Sequence, residues 1–363
     1  MKVLLLTPDL DKAGGVAGLF ITLRDFFGGD VDYFTIGKRL GEKGGLAAVV
    51  RALRDAWRFR RALRMGGYAV VHVNPSLNSR ASLRDGLFVL LTRRRHVRTV
   101  VMFHGWKSDF EDSLKGLRLH VFRRVFSRAD TIVVLAGAFK DKLEQWGIRV
   151  PVVVETTAFH DALIDGDVSG ARPRRQQGEI RLLFFSRVEA TKGIYETLDA
   201  YAIVKSRHPL VKLTVAGSGT ALDAAKRYAA ERRLHDVAWA GHVQGAQKTE
   251  VLTTTDILVL PSYTEGLPVA VLEAMAFGLA IVTRPVGGLR DIIIDGQSGY
   301  LIEGKDPAAF AGAIERLIED PDLLERMGRN NHREAAARFA ASAVARRFEA
   351  LYERIAQETP HGW

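Results

Sequence analysis

The feature that most limits the fold is a pattern that runs twice. Short β-rich runs alternate with helical segments, first as "KVLLLTP", "AVVHVNP", "TVVMFHG" and "TIVVLAG". The pattern restarts as "IRLLFFS", "VKLTVAG", "VAWAG", "DILVLPS" and "LAIVTRP". Each run closes on turn or polar residues. The segments between them, such as "LFITLRDFF" and "GIYETLDAYAIVK", carry helical periodicity. Strand, loop and helix in alternation specify a parallel sheet covered by helices on both faces. The polar stretch "DGDVSGARPRRQQGE" separates the two series and reads as a linker. The expected organisation is two doubly wound α/β domains, 1–165 and 178–340, joined by 166–177. The 363 residues suffice for two such cores. The tail "HREAAARFAASAVARRFEALYERIA" carries a long amphipathic helical pattern.

The chain has no cysteine, which excludes disulfides, thiolate nucleophiles and cysteine-ligated zinc. That composition fits a reducing cytoplasm. The N-terminal "MKVLLLTPDLDKAGG" does not read as a signal peptide, because its apolar run is too short. The apolar run from Gly266 to Thr283 is broken by Pro268, Glu273 and Gly278, so it reads as a short helix and a strand rather than a membrane span.

Ligands of doubly wound sheets bind beyond the carboxyl ends of the strands, so the loops there are the places to search. Glu273 is the single charge between Gly266 and Thr283. On a helix opened by Pro268 and closed by Gly278 its neighbours are Val269, Ala270, Ala276 and Phe277, all apolar. A carboxylate buried there needs hydrogen-bonding partners. It is either a structural cap on a nearby loop or an acceptor for two hydroxyls, such as a ribose diol. Glu265 and Gly266 lie in the loop before that helix. The amides of Leu267, Val269 and Ala270 would favour an anion there, and Glu265 itself could be an ordinary helix-start acid. In "FFSRVEATKGIYETL", Arg187 follows a strand and Lys192 precedes a helix. A cation at a helix start opposes the dipole, so the pair suits an intervening diphosphate unless both are solvated surface charges.

Weaker signals surround these. Gly217 and Gly219 in "VAGSGT" follow a strand but lack the third glycine of a dinucleotide fingerprint. Gly14-Gly15 lacks it too, though Gly15 could let backbone approach a phosphate. His104 ends a strand and could donate to a hydroxyl or phosphate oxygen, or be a satisfied loop histidine. The pairs Asp9/Asp11, Asp30/Asp32 and Asp165/Asp167 read as turn residues rather than metal ligands.

Together these motifs resemble glycosyltransferase family four, retaining enzymes of the GT-B fold. The Gly14-Gly15 loop, "SRVEATKG", "VAGSG", "AGHV" and "PSYTEGLPVAVLEAMAFG" occur in the family's order over nearly the whole chain. The paired glutamates, separated by seven residues, together with Arg187-x4-Lys192-Gly193 are its specific part. The resemblance implies two Rossmann-like domains facing across a cleft, with helix 341–358 returning to the N-terminal domain. It implies that Glu273 binds the ribose and that Arg187 and Lys192 hold the diphosphate. Glu265, with Gly266 and Leu267, would hold the donor sugar, and His104 would face it. Gly15, Gly217, Gly219, His242, Val243 and Val269 would line the nucleotide. It implies a nucleoside-diphosphate sugar as donor and no cofactor or metal. The sequence departs from the family at "EGLPVA", at "GSGT" without its proline, and at "VVETTAF" in place of Asn-Gly, which affects donor specificity rather than class.

The acceptor would occupy the N-terminal half. Residues 1–160 hold 27 Lys and Arg against 15 Asp and Glu, while 161–363 hold 25 against 27, so the whole excess of +10 lies in the first half. "LRDAWRFRRALRMGG", "LTRRRHVR" and "LRLHVFRRVFSR" interleave these charges with apolar residues. They read as a solvated basic face or as helices that dock on anionic membrane at its inner side, with a glycan or lipid-linked acceptor. Nucleic acid is not expected, since no recognition module is present. The rival readings are a GT-B sugar-nucleotide epimerase and a nucleotide-sugar-binding protein without turnover.

Overall fold

A computed structural model describes residues 1–11, 14–39, 46–92, 97–164 and 179–358. The chain divides into two compact units, Met1–Ala158 with Ala341–Trp363, and Phe159–Ala340. The expected linker 166–177 lies outside the described residues, as do Asp165 and Asp167.

In the first unit β1 (Lys2–Thr7) leads to α1 (Gly15–Leu23), β2 (Asp30–Thr35), α2 (Leu46–Met65), β3 (Val70–Val73) and α3 (Ser79–Leu91). Then follow β4 (Arg98–Phe103), α4 (Ser108–Ser113), α5 (Gly116–Phe126), β5 (Thr131–Val134), α6 (Gly137–Gln145) and β6 (Val152–Val154). The strands form one parallel sheet in the order β2-β1-β3-β4-β5-β6. Alternate residues of each strand point to opposite faces, and both faces are apolar. Leu4, Leu6, Val71, Val73, Val101 and Phe103 join Phe59 and Leu63 of α2, Phe88 of α3 and Phe122 of α5 in one core. From the same strands, His72 meets Phe20 of α1 edge-on at 5.7 Å.

The second unit repeats the plan. It runs β7 (Arg181–Phe185), α7 (Ile194–Arg207), β8 (Lys212–Ala216), α8 (Leu222–Glu231), β9 (Val237–Gly241) and α9 (Gly245–Thr253). It continues with β10 (Ile257–Leu260), α10 (Val269–Ala276), β11 (Ala280–Thr283), α11 (Leu289–Ile292), β12 (Gly299–Leu301), α12 (Pro307–Glu319) and α13 (Pro321–Arg338). Its parallel sheet has the order β12-β11-β10-β7-β8-β9. The β-runs read from the sequence are all present. The three strands that the reading missed, β2, β6 and β12, are all sheet edges. An edge strand has one neighbour, so it is short or polar and lacks the apolar signature.

The tail forms two helices, α13 and α14 (Ala341–Gln357). Between them the chain is pinned to Phe159, whose amide donates to the carbonyl of Phe339 at 3.2 Å. That bond takes the place of helical continuation. α14 belongs to the first unit. It packs on α1, and its Arg347 forms a forked pair with Glu155 at 2.7 and 2.9 Å. The architecture is the two-domain GT-B arrangement with its returning helix.

Candidate functional site

Sheet order locates the site of the second unit. From β7 the chain winds outward to β8 and β9, then returns to lay β10 on the other side of β7. The crevice between β7 and β10 is therefore the switch point, where the two outgoing loops diverge. The loop after β7 carries Arg187 and Lys192, and the loop after β10 carries Glu265.

These loops meet. Lys192 Nζ lies 2.7 Å from Glu265 Oε1, with both side chains mostly buried. The amide of Tyr263 donates to the carbonyl of Thr191 at 2.9 Å, so backbone as well as side chain joins the two motifs. The cation at the start of α7 thus has an anion from the chain itself. Arg187 has one too, Glu189 at 2.6 Å, but its side chain is 68 % exposed. Its guanidinium can turn toward a ligand at little cost, whereas Lys192 cannot leave Glu265 without a replacement anion.

Glycines set the closeness. A Cβ on Gly217 would stand 1.8 Å from the carbonyl oxygen of Ser186, and one on Gly219 2.3 Å from that of Val188. Only the absence of a side chain lets the β8 loop lie against the β7 loop. Gly193 (φ +79°) abuts Pro261, and Gly287 (φ +55°) abuts the carbonyls of Glu265 and Gly266. The loops after β7, β8, β10 and β11 are therefore one packed body. Gly217 and Gly219 act first as spacers; their effect on a ligand passes through the Arg187 loop.

Glu273 sits on α10 among Val271, Leu272, Ala274, Met275 and Ala276, all buried. Only 8 % of it is exposed. Its carboxylate has a partner within the chain. Lys248 of α9 reaches across, its Nζ 2.6 Å from Glu273 Oε1. Burial pushes the carboxyl above its ordinary range, and Lys248 partly counters that rise. No sequence signal could have found Lys248, which reads as an ordinary lysine on a polar helix 25 residues upstream. α10 is itself held fast. Gly278 (φ +67°) closes it, and on α13 Asn331 Nδ2 donates to the carbonyl of Leu279 at 2.7 Å.

Around this centre, Gly266, Leu267 and Val269 lead into α10. The carbonyl of Gly266 accepts from Gly288 at 2.7 Å. His242 and Val243 follow β9. Val243 is buried, and His242 Nε2 shares a 2.6 Å hydrogen bond with Gln244.

In the first unit Gly15 begins α1, exposed, with open space where a Cβ would stand. His104 follows β4, and its Nε2 is 2.7 Å from Asn74 Oδ1. The Asn74 amide donates to the carbonyl of Leu6 at 3.1 Å, which fixes its oxygen toward the histidine. Burial drives the His104 pKa to about 3, so the ring is neutral with its proton on Nε2. Nδ1 is then an acceptor. Through Nδ1, His104 can receive a hydrogen bond from a hydroxyl. Asp30 and Asp32 start β2 and pair with Lys2, and Asp32 also accepts from Tyr68 at 2.6 Å.

Two family models match the chain. One, described as glycosyl transferase 4-like domain, covers residues 5–156, and glycosyl transferases group 1 covers 169–334. Curated relatives include a glycogen synthase of Mycobacterium tuberculosis, 28% identical over 60% of this chain and 52% of its own. A D-inositol 3-phosphate glycosyltransferase of Corynebacterium kroppenstedtii is 29% identical over 66% of this chain and 56% of its own. The chain thus spans about half the length of these curated relatives. Among solved structures, Anabaena HepE in complex with UDP and glucose aligns with TM-score 0.72 at 19% identity, covering 97% of this chain and 99% of that one. Sucrose-phosphate synthase from Thermosynechococcus elongatus aligns with TM-score 0.72 at 19% identity, over 98% and 99%. At that identity the likeness is one of fold.

Proposed function

The chain belongs to the group 1 glycosyltransferases, and on that premise we propose that it moves a sugar from a nucleoside-diphosphate sugar to a hydroxyl of a glycan or lipid-linked acceptor. The observation that carries the reading is the Lys192–Glu265 contact, which joins the two most specific motifs in one crevice. The activity belongs to cell-surface polysaccharide or glycolipid synthesis on the cytoplasmic side of a membrane. UDP-sugars are the first donors to try, because HepE was solved with UDP and glucose.

In this reading Glu273 accepts hydrogen bonds from the ribose diol, while Lys248 holds its carboxylate. The β9 loop with His242 and Val243 lines the base. Arg187 and Lys192 take the diphosphate. Three cations (Arg187, Lys192, Lys248) face three carboxylates (Glu189, Glu265, Glu273) in pairs, so the charges balance. An arriving diphosphate competes with Glu265 for Lys192. Glu265 is then released toward the sugar hydroxyls, beside the Gly266 and Leu267 amides. Donor binding and sugar positioning are thereby one event. His104 accepts from a sugar hydroxyl.

The chemistry is substitution with retention. The bond from the anomeric carbon to the β-phosphate oxygen breaks, charge grows on the diphosphate, and Arg187 and Lys192 stabilise it. The acceptor oxygen bonds the same face of the carbon, and its proton passes to the departing phosphate oxygen. Glu265, released toward the sugar hydroxyls, is a sugar contact rather than the nucleophile of a glycosidase-like double displacement. The reading assigns no metal or cofactor. Proton NMR of the product tests it: a new glycosidic linkage with the donor's anomeric configuration is expected. An inverted linkage refutes retention, and an altered sugar still attached to nucleotide points to an epimerase.

A further inference from the structure

Exposed apolar side chains are concentrated on one part of the first unit. α3 packs against α2 on one side and α5 on the other. Each helix buries one stripe in the core and presents a second stripe to solvent. Leu53 (68 %) and Trp57 (62 %) on α2, Leu83 (77 %) on α3 and Leu117 (77 %) on α5 are mostly exposed. Val50, Leu87 and Val121 extend these stripes at three- or four-residue spacing. Most of the exposed large apolar residues among the described ones lie on these three neighbouring helices.

The charge on the same helices has one sign. α2 carries six arginines, α3 two and α5 three. Their two acids face inward. Asp55 is buried and paired with Arg39 at 2.8 Å, and Asp85 is buried and paired with Arg84 at 2.6 Å. The outward surface is therefore leucine, valine and tryptophan set in arginine, without an outward acid on these helices.

We propose that the outer face of α2, α3 and α5 docks on an anionic lipid surface. A second copy of the chain would bring arginine against arginine, and like charges set face to face across an interface oppose association. A polynucleotide would use the arginines but leave the aliphatic residues in water. A leaflet of acidic headgroups over acyl chains satisfies both, with the guanidinium groups at the phosphates and the apolar tips below them. α2, α3 and α5 belong to the first unit, whereas Arg187, Lys192, Glu265 and Glu273 belong to the second, so vesicle binding can be read without the transfer reaction.

Sedimentation with vesicles tests it. Wild-type protein is expected to pellet with equimolar phosphatidylglycerol and phosphatidylcholine at low salt, and not with phosphatidylcholine alone. Leu53→Glu/Trp57→Glu is expected to lose at least about tenfold in binding, with an unchanged melting temperature. Arg61→Glu/Arg64→Glu, which leaves the apolar stripe intact, is expected to lose as much. If wild-type protein stays in the supernatant with the anionic vesicles, or both variants pellet like wild type, the proposal is overturned. It is equally overturned if gel filtration shows a wild-type dimer that the first variant abolishes. Nucleoside diphosphate release with a water-soluble acceptor reads the transfer reaction separately.

Discussion

Lys248 Nζ stands 2.6 Å from Glu273 Oε1, so the buried carboxylate of α10 takes its counter-charge from α9. Glu273 is held above the ordinary carboxylate range by burial and pulled back by this lysine. A carboxyl with a raised folded pKa favours the fold most at low pH, and that contribution is lost as pH rises through the raised value. Lys248→Met removes the opposing pull, so the carboxyl rises further. The acid limb of nucleotide affinity is expected to move to higher pH, and stability is expected to fall more steeply toward neutral pH. Calorimetric titration of UDP across the acid range reads the first effect, and urea unfolding reads the second. An unmoved acid limb would mean that Lys248 does not govern Glu273.

The Lys192–Glu265 pair separates structure from catalysis. Lys192→Ala leaves a buried carboxylate unpaired, at a cost of about 3 kcal/mol as well as the loss of turnover. The double variant Lys192→Met/Glu265→Gln is expected to recover most of the stability and none of the turnover. Recovery of both would show that the pair only holds the loops together.

The glycines divide in the same way. Gly217→Ala puts a methyl group into the Ser186 carbonyl and is expected to cost at least about 2 kcal/mol. In a unit of this size that lowers the melting temperature by roughly 4–8 °C. Gly15→Ala meets open space and is expected to leave stability unchanged. A weaker donor affinity in that variant would then report backbone approach to the phosphate; an unchanged affinity removes Gly15 from the site.

Much of the site could be read from the sequence because a local signal marked it. A lone glutamate in an apolar helix, and two cations around a helix start, are each improbable without a charged neighbour. The strands of the sheet interiors were legible for the same reason, since continuous apolar runs have few uses. Lys248, Asn74 and Glu189 were not legible. Each looks like a surface residue until the fold brings it to its partner. The role of Gly217 was half legible. The glycine marked a close approach, but not that the approaching group is the neighbouring loop. Helical periodicity continues through Phe339, yet α13 ends there, and the Phe339 carbonyl accepts from Phe159.

Two histidines, His72 fully buried and His104 partly buried, give the first unit its own pH dependence. Burial lowers His104 to about 3 and also lowers His72, whose Nδ1 shares a 2.7 Å hydrogen bond with Tyr352 of α14. A base with a depressed folded pKa contributes stability that is present above its unfolded value of 6.5 and is lost as pH falls toward about 3. Stability of the first unit is therefore expected to decline through the acid range. The imidazole resonances of His104 are expected to stay constant between about pH 5 and 8. A midpoint near 6.5 would contradict the neutral, accepting ring.

The most direct test of the central claim is nucleoside diphosphate release from a panel of UDP-, GDP- and ADP-sugars with a hydroxyl acceptor. The wild-type chain is expected to release the diphosphate from at least one donor, and the folded Lys192→Met/Glu265→Gln variant is expected to release none. A wild-type chain that binds a sugar nucleotide but never frees the diphosphate would contradict the account.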